Sequence, residues 1–127
     1  MLLVPNENYV LVKRFTAKEE RRRVVAAIYE AQFFPGEFVG FENHLNYIHC
    51  EGHGISLLLA LGLTAYLNST LVDKFVRHFN GHTQINAADL RQLRYPTRQQ
   101  LEALGLRIAS TWPNQAALDC AIEEELL

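Results

Sequence analysis

Residues 55–79 constrain this chain most, because they are its clearest helical material. Leu67, Leu71 and Phe75 recur every four residues, Phe79 continues the stripe, and Leu63, Val72 and Val76 lie beside it. That spacing paints one face of a helix, and the face has to be covered by the rest of the chain. Asn68-Ser69-Thr70 breaks the run, so two consecutive helices are expected, with Ser69 or Thr70 capping the second. Asn80-Gly81 is the stop signal. Leu71 and Phe75 are expected in the core together with Leu67. The run contains glycine, serine and threonine and falls short of a membrane span.

Strand signals precede the helices. Residues 9–16, YVLVKRFT, place Val10, Val12 and Arg14 on one face and Tyr9, Leu11, Lys13 and Phe15 on the other. A polar link, AKEERR, leads to residues 23–29, RVVAAIY, with β-branched and aromatic content. A six-residue polar link between two strands suggests an antiparallel hairpin. Helix competes here, since AKEERRRVVAAIYEAQF is full of good helix formers. Pro35-Gly36 marks a turn, and residues 38–49 read as one or two strands. Beyond Pro96, Thr97 caps a helix over 98–104 ended by Gly105, and residues 114–126 read as a last helix. The expected fold is α+β: an antiparallel sheet packed against consecutive helices in a single domain of 127 residues.

The totals exclude little. A net charge of −2 gives no global basic signature, although one end is basic and the other acidic. Lys13, Arg14, Lys18, Arg21, Arg22 and Arg23 crowd the first part against Glu19 and Glu20. The last sixteen residues hold Asp119, Glu123, Glu124 and Glu125 with no Lys or Arg. Cys50 and Cys120 form no disulfide framework, so two free thiols and a cytoplasmic location are expected. Met1-Leu2-Leu3-Val4 is far too short for a signal peptide, and no membrane association is expected.

Residues 79–96, FNGHTQINAADLRQLRYP, concentrate polar side chains between the most apolar and the most polar segments. A core element would not do so, because burying each such group unpartnered costs about 1–3 kcal/mol. One reading is a hydrogen-bonded loop that ties a helix to the sheet. The other is a loop that touches nucleic acid. In an extended segment His82, Gln84 and Asn86 share one face, while Ile85 anchors the other in the core. Asn and Gln read adenine edges, Arg reads guanine, and Lys or Arg clusters meet phosphates. The candidate DNA-binding residues are therefore Lys13, Arg14, Arg21, Arg22, Arg23, Asn43, His44, His82, Gln84, Asn86, Arg91 and Arg94.

Catalytic motifs are missing. There is no Gly-x-Ser-x-Gly, no glycine-rich phosphate loop and no redox cysteine pair. His44, His49, Cys50 and His53 lie within ten residues, but their spacing matches no usual paired-ligand pattern. A small metal-dependent nuclease built on those histidines stands as a third reading, after a protein-interaction module that docks a catalytic subunit through the helical face.

Three strings carry a family resemblance: YVLVKRFTAKEERRRVVAAIY, VGFENHLNYIH and GLTAYLNSTLVDKFVRHFNGHTQINAADLRQLRYP. They resemble the C-terminal part of adenine-specific DNA methyltransferases from bacterial restriction-modification systems, in the branch with a TaqI-like specificity domain. The resemblance covers residues 9–96, leaving 97–127 as a helical tail. In such enzymes a Rossmann-like domain binds S-adenosylmethionine and methylates adenine beside an Asp/Asn-Pro-Pro-Tyr/Phe motif. Neither that motif nor a cofactor-binding glycine loop occurs here. The resemblance thus implies target recognition on double-stranded DNA, no cofactor in this chain, and a methyltransferase catalytic domain in the same or a partner chain.

Overall fold

Strand alternation sets the layers. The computed structural model describes residues 2–126. The chain runs β1 (Leu2–Pro5), β2 (Tyr9–Lys13), β3 (Ala26–Tyr29), a 3-10 turn (Ala31–Phe33), β4 (Phe38–Phe41) and β5 (Leu45–Ile48). Helices follow: α1 (Leu57–Leu67), α2 (Thr70–Phe79), α3 (Ala87–Arg91), α4 (Arg98–Ile108) and α5 (Gln115–Leu126). β2 is the centre of an antiparallel sheet of order β3-β2-β5, and β1 pairs with β4 in a separate antiparallel ribbon. Val10 and Val12 are fully buried in the core shared with the helices. Tyr9 turns the other way into a second cluster with Val4 and Phe41, flanked by Leu11, Tyr29, Val39 and Tyr47. The central sheet is therefore covered on both faces, and the fold is α+β as the patterning requires.

The hairpin forms as expected, with narrower strands. β2 stops at Lys13 instead of Thr16, and β3 starts at Ala26 instead of Arg23. Residues 84–86 contribute only an isolated bridge, Phe15 with Gln84, held by Thr16 N–H to the Thr83 carbonyl (2.8 Å) and Ile85 N–H to the Arg14 carbonyl (2.6 Å). β1 is a strand that the sequence reading did not anticipate. Asn68, at the end of α1, acts as a strand substitute: its Oδ1 accepts from Ala26 N–H (2.9 Å) and its Nδ2 donates to the Ala26 carbonyl (2.8 Å).

The helix break lies where the polar triplet placed it. Ser69 is extended (φ −74, ψ 153) and accepts from Val72 N–H as the cap of α2. Its consequence for the apolar stripe differs from expectation. Val72 and Val76 are 1% exposed, whereas Leu71, Phe75 and Phe79 are 51%, 44% and 36% exposed. An extended residue between two helices resets their phase, so an i, i+4 stripe cannot be carried from Leu67 into α2. Leu71 and Phe75 are surface residues.

α1 is buried from Ala60 to Leu67, between the sheet and α4. Gly62 and Gly105 make that crossing possible. A Cβ on Gly62 would stand 1.8 Å from the Leu101 carbonyl oxygen, and one on Gly105 would stand 2.1 Å from that of Leu58. Gly105 is thus a contact inside α4, which continues to Ile108, and it does not end the helix. Thr97 caps α4, accepting from Gln100 N–H (3.1 Å) while Gln100 Oε1 accepts from Thr97 N–H (3.0 Å). Leu118, Ala121 and Ile122 of α5 enter the same core. Among the described residues no helix is long and apolar enough to cross a membrane.

Candidate nucleic-acid interface

The polar residues at the far end of β2 are gathered by backbone pairing. Arg14 is the hub: its N–H donates to the His44 carbonyl (2.9 Å), its carbonyl accepts from Ile85, and its guanidinium Nη1 donates to the Asn43 carbonyl (3.2 Å). Asn46 Nδ2 then donates to the Ile85 carbonyl (2.7 Å). The loop 42–44, the segment 82–86 and the end of β2 form one rim carrying Lys13, Arg14, Asn43, His44, Gln84 and Asn86. Ile85 is fully buried beneath it, as the alternation required, while Asn43, His44, His82 and Asn86 are exposed and Gln84 is half-buried. The chain bends at His82 and Thr83, so regular alternation does not extend back to His82. A hollow of about 520 Å³ lies along His82, Thr83, Gln84, Asn86 and Asp89.

The rim is rigidly mounted. Asn80 is buried; its Nδ2 donates to the Gln84 carbonyl (2.9 Å) and its Oδ1 accepts from His82 N–H (2.9 Å). Asp89 Oδ2 accepts from Asn86 N–H (2.7 Å), fixing the start of α3. Both the scaffolding and the outward presentation are therefore realised here: backbones are occupied, Asn86 also caps α3 in a capping box with Asp89, and the other side-chain ends face solvent. Arg14 Nε is buried without a partner, in a place where such a donor costs about 1–3 kcal/mol.

The other candidates scatter. Arg91 lines a groove with Leu45–His49, Leu90 and Tyr95, beside the rim. Arg94 is exposed, and its carbonyl accepts from the Tyr66 hydroxyl. Tyr95 donates its hydroxyl to the Leu90 carbonyl (2.8 Å), and burial pushes its pKa up to about 12. Arg21 and Arg22 line a different hollow with Trp112 and Pro113, and Arg22 Nη1 donates to the Asn68 carbonyl (2.8 Å).

Arg23 corrects the sequence reading. It is 0% exposed, so it cannot reach a phosphate. Its guanidinium donates to Thr16 Oγ1 (3.2 Å), the Asn80 carbonyl (3.1 Å), Asn80 Oδ1 (3.2 Å) and the His82 carbonyl. It is a buried staple that pins the 80–82 turn to the hairpin.

The histidines do not converge. His49 Nδ1 accepts from Gly52 N–H (2.8 Å), His53 pairs with Glu7 (3.3 Å), and His44 lies 3.8 Å from Glu42. Among the described residues no three His, Cys, Asp or Glu side chains form a metal-holding group. Cys50 and Cys120 are unpaired and exposed.

Comparison with known proteins supplies the context. Over 125 residues, 98% of its length, the chain is 50% identical to Type II methyltransferase M.PstI of Providencia stuartii. It is also 50% identical over 127 residues to Type II methyltransferase M.BsuBI of Bacillus subtilis. The chain is homologous to one part of Type II methyltransferases. It spans 25% of the length of each of these relatives. No family model and no solved structure matches it.

Sequence reasoning missed two features, one on the rim and one at the basic loop. Phe15 is 42% exposed and touches His44 edge-on, with ring centroids 5.5 Å apart. Its strand parity with Lys13 was the available signal. Arg77 braces the basic loop from below, donating to the carbonyls of Lys18 and Glu20 (both 2.9 Å) and pairing with Asp73 (2.9 Å). Nothing in its local sequence announces that role.

Proposed function

We propose that this chain is the DNA target-recognition part of an adenine-specific Type II methyltransferase of a restriction-modification system, and that it carries no catalysis of its own. The observation that supports it best is the single rim of Arg14, Asn43, His44, Gln84 and Asn86, mounted on buried Ile85, Asn80 and Arg23. Rigidly held polar side chains around an open edge suit the reading of base edges. Lys13 and Arg14 supply phosphate contacts, Gln84, Asn86 and Asn43 supply adenine contacts, and Arg91 and Arg94 extend the surface. Methyl transfer from S-adenosylmethionine belongs to the part of the enzyme outside these 127 residues, in a cytoplasmic protein.

A test is binding of the chain to duplex DNA as salt is varied. Binding that weakens steeply with salt is expected; Gln84→Ala should relax sequence preference by up to about 1–3 kcal/mol with an unchanged melting temperature, and Asn86→Ala, which also removes the α3 cap, should relax it at a stability cost of about 1 kcal/mol. Variants that lose stability yet keep the same preference would make this loop scaffolding alone.

A second reading is docking of the methyltransferase catalytic part by the helical face. It is favoured by the exposed stripe of Leu71, Phe75 and Phe79, which lines a largely apolar hollow with Lys74, His78 and Gln92. The two readings use different faces and are compatible.

A further inference from the structure

Phe15 is the apolar ring on an otherwise polar rim. It is 42% exposed, yet its position is fixed from both sides by the Thr16–Thr83, Ile85–Arg14 and Arg14–His44 backbone hydrogen bonds. His44 packs edge-on against the ring at 5.5 Å. Phe15 and Gln84 are directly opposed in an antiparallel bridge. Opposed residues project from the same face, with Cβ atoms about 4.5–5.5 Å apart. The rim therefore presents a ring edge and a side-chain amide next to one another.

One base pair offers the matching pattern. In the major groove an A·T pair displays the adenine N7 acceptor and N6 donor beside the thymine C5-methyl, whereas a G·C pair has no methyl there. A glutamine can bond the adenine bidentately, and an adjacent phenyl ring can bury the methyl. We infer that Phe15 is a specificity-determining residue: it contacts the thymine methyl of an A·T pair whose adenine is read by Gln84. This rests on the reading of the rim as a DNA-recognition surface.

The experiment titrates the whole chain with alternating poly(dA-dT), poly(dA-dU) and poly(dG-dC) duplexes, following fluorescence anisotropy. Thymine and uracil differ only by the methyl. Wild type should bind dA-dT on the order of fourfold more tightly than dA-dU, the value of one buried methyl group. Phe15→Ala should bind the two equally, and Phe15→Leu should keep part of the preference, with circular dichroism reporting that both variants fold. Should Phe15→Ala fail to fold, the reduced preference of Phe15→Leu decides the matter. Wild type that prefers A·T over G·C but ignores the methyl, or a Phe15→Ala variant that keeps the full preference, overturns the role of Phe15 and leaves the rim reading standing. Equal affinity for all three polymers, or no binding, overturns both.

Discussion

At the scale of single residues, Arg21 and Arg23 stand two positions apart and have opposite fates. Arg23 is sealed in the interior with its guanidinium on carbonyl and hydroxyl oxygens, while Arg21 is exposed. Arg23→Ala should destabilise the fold by roughly 3 kcal/mol or more, because it strips several buried acceptors that each cost about 1–3 kcal/mol when orphaned. Arg21→Ala should leave the denaturant midpoint within about 0.5 kcal/mol of wild type. Equal midpoints for the two variants would mean that Arg23 is not the staple described. The difference was not legible in the string RRR. An arginine is buried when acceptors arrive from elsewhere, and here they come from Asn80 and His82, far along the chain. The burial of Ile85 was legible, because alternation within one short segment decides it.

At the scale of elements, caps were legible and phases were not. Thr97 reads from sequence as the cap of α4, and Ser69 as one of the two caps offered for α2, since a cap is a contact within four residues. The buried face of α2 depends on how the chain turns at Ser69, which no stripe counted across the break can register. Val72→Ala and Val76→Ala should each cost about 1–3 kcal/mol, as truncations of fully buried side chains do. Leu71→Ala and Phe75→Ala should fall within about 0.5 kcal/mol, as surface substitutions do. Urea denaturation of the four variants checks this, and a stability loss at Leu71 matching that at Val72 would return the stripe to the core. The rim follows the same rule: His82, Gln84 and Asn86 were named from local pattern, while Phe15 needed the long-range bridge to Gln84 to be noticed.

At the scale of the whole molecule, α4 and α5 complete the core that α1 begins, although the family resemblance read from the sequence ended at residue 96. The joint is the Gly62–Gly105 crossing, where backbones touch without side chains between them. Gly62→Ala should cost roughly 3 kcal/mol or more, the upper end of overpacking penalties, because its Cβ would meet backbone that cannot step aside. A melting temperature near that of wild type would show that the helices can separate at little cost. The sheet has an asymmetry of its own. Alternate residues of a strand turn their hydrogen-bonding groups outward, and on β3 Asn68 already occupies those of Ala26. A foreign strand seeking to lengthen the sheet therefore meets an obstructed border at β3 and has β5 as its remaining approach. β5 borders the groove next to the rim. On the proposed DNA-recognition reading, strand addition and duplex would compete for one side of the molecule, so self-association by edge pairing, followed by sedimentation, should fall as duplex is added.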